Sequence, residues 1–75
     1  MAQEIAITGE TIRLGQLLKL AGVVDSGSEV KALLAGEPAW VNGEQEARRG
    51  RQLHPGDQVR VGAHELLVVA RAGVS

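Results

Sequence analysis

The spacing of apolar positions changes along the chain, and each change marks an element. Ile5 and Ile7 alternate with Glu4 and Ala6 ahead of Gly9-Glu10, the period of two that reads as a short half-buried strand. From Leu14 to Ala21 the spacing lengthens. Leu14, Leu17, Leu18 and Ala21 recur at the interval of one helix face, with Lys19 off that stripe. Gly22 is placed to end this helix in a left-handed cap. Ser26 and Glu29 then have the spacing of a capping box, which predicts a second helix over Gly27 to Leu34. Val30, Leu33 and Leu34 fall on its inward side and Lys31 falls away from them. Gly36 is the expected stop.

After the helices the pattern shortens again. Pro38 cannot donate to a ladder, so a strand begins no earlier than Ala39. Trp40-Val41 leads into Asn42-Gly43, the dipeptide best suited to the positive φ values of a type I′ hairpin turn. Glu44 and Gln45 leave on the returning strand. His54-Pro55-Gly56-Asp57 reads as a second turn closed by Asp57, and Gln58-Val59-Arg60-Val61 alternates as a half-buried strand does. Gly62 to His64 turns once more before a last apolar strand, Glu65 to Ala70. Strand, two short helices, then further strands joined by tight turns make an α+β domain. One domain is expected over residues 1–75, with 71–75 a frayed tail.

Composition narrows the chemistry. The 75 residues include no cysteine, so a small core, burying roughly 60% of the unfolded chain's surface, has neither a disulfide nor a thiolate zinc site to reinforce it. Hydrophobic residues make up 44% of the chain but aromatics only 1%, which leaves Trp40 as the single large ring. Burial is expected for it, with a stacking platform beside the basic loop as the alternative. His54 and His64 are too few for a metal site, and no catalytic triad, carboxylate cleft or Walker lysine pattern is present. Neither catalysis nor a cofactor is expected. The opening residues lack a secretory signal and no apolar stretch approaches the roughly 20 residues of a membrane span, so a cytoplasmic protein is expected.

Charge points to one place. The formal net charge is only -1, yet three of the eight basic residues, Arg48, Arg49 and Arg51, cluster just after the hairpin. Bulk charge cannot coat nucleic acid here, so any such contact must be local to one face. Arginine suits that role because its planar fork pairs two phosphate oxygens and stays charged. On the residues alone, a solvated loop partly neutralised by Glu44 and Glu46 remains the alternative, as do ordinary solubilising roles for Lys19 and Lys31.

Leu14-Gly15-Gln16-Leu17-Leu18-Lys19-Leu20-Ala21-Gly22, then Val24-Asp25-Ser26-Gly27, then Val41-Asn42-Gly43-Glu44 resemble, in order and spacing, the S-four-type RNA-binding domain, a helix-and-loop module named after a small-subunit ribosomal protein. Lys31, Arg48-Arg49-Gly50-Arg51-Gln52-Leu53 and Pro55-Gly56-Asp57 are similar to its small stand-alone bacterial members. The likeness runs from about Ile12 to Val61. It implies two short antiparallel helices packed on a small curved, mainly antiparallel sheet of about four or five strands, and a monomeric, non-catalytic protein that binds structured RNA, ribosomal RNA or ribosome precursors among them. Carried over by position, Lys19 and Lys31 would contact phosphates, and Ser26 and Gly27 would let RNA approach the backbone. Asn42, Arg48, Arg49 and Arg51 would complete the face. Many larger relatives are basic where this chain has Gly27. Glu37 stands where the family commonly has glycine, and with Pro38 and Trp40 it predicts a reshaped approach to the hairpin. Two other readings use the same residues: a protein-interaction module that sets the arginine loop on an acidic partner, and an accessory domain of an RNA-modifying system.

Overall fold

The computed structural model describes residues 2–71. Its elements, in chain order, are β1 (Gln3–Ile7), β2 (Ile12–Arg13), α1 (Leu14–Leu20), α2 (Gly27–Gly36), β3 (Ala39–Val41), β4 (Glu44–Glu46), β5 (Gln52–Leu53), β6 (Gln58–Val61) and β7 (His64–Ala70). One five-stranded sheet has the order β1-β7-β6-β3-β4. Its neighbours are antiparallel except β1, which runs parallel beside β7. The α+β class and the mainly antiparallel sheet are those expected. Unanticipated is a separate ladder of β2 with β5, Ile12 opposite Leu53 and Arg13 opposite Gln52, because two-residue strands carry no readable period.

Strand alternation sends Ile5, Ile7, Val41, Val59, Val61, Leu66 and Val68 to one face, where they meet Leu14, Leu17 and Leu18 of α1 and Val30 of α2 in a single aliphatic core. Leu33 and Leu34 pack on its margin. Leu14, Leu17 and Leu18 are wholly buried, so truncating one to alanine should cost about 2–5 kcal/mol.

The helix ends follow from their caps. Gly22, at φ +78°, donates its amide to the Lys19 carbonyl at 3.1 Å, while Val23 donates to Leu18 at 3.0 Å, the paired bonds of a Schellman ending. At the start of α2 the Ser26 hydroxyl accepts from the Glu29 amide at 3.3 Å. The reciprocal arm differs from a regular capping box: Glu29 Oε2 accepts from the amide of Asp25 at 3.4 Å, one residue ahead of the cap. The helix continues to Gly36, two residues past the expected Leu34. Glu37 still donates to Leu33 at 2.9 Å but is extended, at φ -135° and ψ 134°, the region that a following proline imposes. The Glu37-Pro38 step therefore ends α2 and delivers the chain into β3 at Ala39.

Trp40 corrects an expectation. Ala39 and Val41 take the two inward positions of β3, so the strand's period of two turns Trp40 to the opposite face, where it is only half-buried. Arg60 lies across from it on β6, with Cζ 5.7 Å from the ring centroid, a cation–π contact. At the other end of the chain, Arg71 donates its amide to the Ile7 carbonyl at 3.0 Å, so the first residue of the expected tail is tied to β1. Residues 72–75 of that tail lie outside the described residues.

Candidate nucleic-acid interface

The hairpin turn forms as its dipeptide dictates. Asn42 at φ +52° and Gly43 at φ +85° supply the two positive angles, and Val41 stands opposite Glu44. The Asn42 side chain is engaged at both ends: Nδ2 donates to Asp57 Oδ1 at 3.0 Å and Oδ1 accepts from the Gln58 amide at 2.9 Å. It fastens the hairpin to the His54–Asp57 turn, which is closed by the His54 amide donating to Asp57 Oδ2 at 2.7 Å. Burial pushes the Asp57 carboxyl up, but the bonds from Asn42 and the His54 amide, with the charges of His54 and Arg51, outweigh it and leave it below the usual range.

The arginine loop is built around Glu46. This last residue of β4 stands opposite Ala39 and is 7% exposed. Its Oε2 accepts from Arg48 Nε and from the Arg48 amide, both at 3.1 Å, and its Oε1 accepts from Arg48 Nη2 at 3.3 Å and Arg51 Nη1 at 2.9 Å. The Arg48 side chain, then that of Arg51, hold the Glu46 carboxyl down to about 2 against the opposing effect of burial. The loop then turns, the Arg51 amide donating to the Arg48 carbonyl at 3.2 Å. Its carbonyls also serve α1: Arg51 accepts from Leu14 and Arg49 from Gly15, each at 2.9 Å. Those donors are among the amides that a helix start leaves without internal partners, so the loop caps the helix. Gly15 marks the closest meeting, since a Cβ there would lie 3.4 Å from Val30 Cγ1 and 3.5 Å from the Arg49 carbonyl oxygen.

Where α1, the start of α2 and this loop converge there is a groove of about 290 Å³, lined by Arg13, Gly15, Gln16, Lys19, Gly27, Val30, Arg49 and Gly50. No carboxylate lines it. Among the described residues Arg13, Lys19 and Arg49 form no ion pair. Arg49 also borders the neighbouring depression together with Lys31, Leu34, Ala35 and Ala47. A Cβ built on Gly27 would meet nothing within 4 Å, so the backbone at the start of α2 is open to an incoming group.

The expected contact residues thus divide by position. Lys19, Gly27, Lys31 and Arg49 surround the groove and its continuation. Ser26 is occupied as the helix cap, Asn42 as the link between turns, and Arg48 and Arg51 as partners of Glu46, bordering a depression with Gln52, His54 and Asp57. Arg13 and Gln16 were not anticipated. Arg13 was visible as a cation just before the leucine stripe, but its place beside Arg49 depends on the β2–β5 ladder. Among the described residues, no group of three or more His, Asp or Glu could hold a metal ion, and no helix is long and apolar enough to cross a membrane.

Comparison with known proteins gives two findings. A sequence profile of the S4 domain matches residues 5–69. A protein of Bacillus subtilis (strain 168) named "Probable ribosome maturation protein RlbA" is 48% identical over 61 residues, covering 81% of this chain and 86% of the relative.

Proposed function

Because the chain belongs to the S4 domain family, we propose that it is a non-catalytic, cytoplasmic RNA-binding protein that docks on structured RNA, ribosomal RNA or its precursors, through the groove between α1, α2 and the arginine loop. The observation that carries this reading is the convergence of Arg13, Lys19 and Arg49 on one carboxylate-free groove, continued by Lys31. A-form RNA has a deep, narrow major groove that side chains cannot read, and is met through its phosphates and the 2′-hydroxyls of its shallow minor groove. A row of cations on a protein of near-zero net charge therefore recognises shape and phosphate spacing more than sequence. The name of the Bacillus relative supports the choice of a ribosomal target.

The test is a titration with hairpin RNA, duplex RNA and duplex DNA at several salt concentrations. If Arg13, Lys19, Lys31 and Arg49 each meet a phosphate, the logarithm of affinity falls against that of salt with slope about -3, at roughly 0.7 to 0.9 per phosphate. RNA is bound in preference to DNA, and Lys19→Ala with Arg49→Ala lowers both affinity and slope. Absence of RNA binding at low salt would overturn the proposal and favour an acidic protein partner instead.

A further inference from the structure

A carboxylate at an inward strand position is the feature that RNA docking by itself leaves without a role. Glu46 stands opposite wholly buried Ala39, at a position where an apolar side chain would serve the core. A buried carboxylate costs heavily unless it is paired and hydrogen-bonded. Here its two oxygens receive four bonds, three from Arg48 and one from Arg51. Arg51 is two-thirds withdrawn from solvent, while Arg48 keeps 78% of its side chain exposed. Between these two anchored residues lies Arg49, exposed, without an ion pair among the described residues, and fixed at its carbonyl by the Gly15 amide.

The geometry points to Glu46 as a positioning residue of the interface, a buried carboxylate that holds Arg48 and Arg51 as struts so that Arg49 is the loop cation aimed into the groove. This rests on the RNA-docking reading above. It assigns the three arginines unequal roles: Arg49 meets phosphate with its whole charge, while Arg48 and Arg51 share one negative charge and shape the loop. It also reverses the sign that charge counting gives. Removing a carboxylate beside an RNA site should strengthen binding if only electrostatics matter, whereas losing the anchor frees the loop, and ordering it again on RNA weakens binding.

The experiment compares Glu46→Gln, Arg49→Ala and the unaltered protein on the same hairpin RNA, with folding checked by circular dichroism. Glu46→Gln should bind about tenfold more weakly with an undiminished salt slope, although the protein has lost a negative charge. Equal or tighter binding by folded Glu46→Gln overturns the positioning role, and so does unchanged binding by Arg49→Ala. Failure of the unaltered protein to bind any RNA instead overturns the function on which the inference rests. Should Glu46→Gln not fold, Arg51→Met leaves Glu46 its three bonds from Arg48 and tests the same idea. It should weaken binding with the slope unchanged, whereas a slope smaller by about 0.7 to 0.9 would make Arg51 a phosphate contact and overturn the assignment.

Discussion

Asn42 and Asp57 are joined side chain to side chain at 3.0 Å across fifteen positions of sequence, and that bond makes two separate turns into one rim of the sheet. Asn42→Gly keeps the backbone free to hold positive φ while deleting both side-chain bonds. It should destabilise by about 1–3 kcal/mol in urea unfolding. RNA affinity of the folded variant should be unchanged, because Asn42 acts on conformation. Stability equal to that of the unaltered protein would show that the link contributes nothing.

Gly22 isolates backbone strain from packing. Its φ is +78° and a Cβ would meet nothing within 4 Å, so Gly22→Ala pays only the left-handed penalty, about 1–2 kcal/mol. Ser26→Ala tests the other cap and should cost about 1 kcal/mol. The two losses should add in the double variant within about 0.5 kcal/mol if the caps act independently. Thermal or urea melts of the single and double variants measure this.

Gly27 offers a gain of function. A Cβ there would meet nothing within 4 Å and no carboxylate lines the groove, so Gly27→Lys should tighten RNA binding severalfold and steepen the salt slope by about 0.7 to 0.9. A tighter complex with an unchanged slope would mean that the new lysine acts through stability instead of phosphate.

Acid should weaken the fold in a defined window. The folded Glu46 carboxyl is lowered from its ordinary 4.5 to about 2, so its contribution is whole above about 4.5 and drains away as pH falls from there through about 2. Asp57, also lowered, acts in the same direction. Urea midpoints measured down through this window should fall, and Glu46→Gln, though less stable at neutral pH, should show a shallower decline.

Local rules carried the reading of the sequence a long way. The leucine stripe of α1, the Ser26 cap, the Asn42-Gly43 reversal and the alternation of β6 are each decided by residues within a few positions of one another, and each stands where those rules place it. What escaped depends on contacts between distant segments. The β2–β5 ladder is too short to have a period, and it brings Arg13 into the groove. The division of the arginines turns on whether Glu46 faces in or out, which is set by the register of β4 against Ala39. The size and apolarity of Trp40 suggest core, whereas strand parity gives the inward positions to Ala39 and Val41.

The parallel pairing of β1 with β7 sets the order of events in folding. Gln3 lies opposite Leu66 and Ile7 opposite Ala70, so β1 can only be added after the far end of the described chain has been put in place. The hairpins β3–β4 and β6–β7 close over short turns and form early, while β1 must wait for a long closure. Until then β7 presents an open edge that another strand can occupy. Refolding should therefore finish with β1 docking, and a free peptide of the β1 sequence, added during refolding, should compete for that edge and slow the last step.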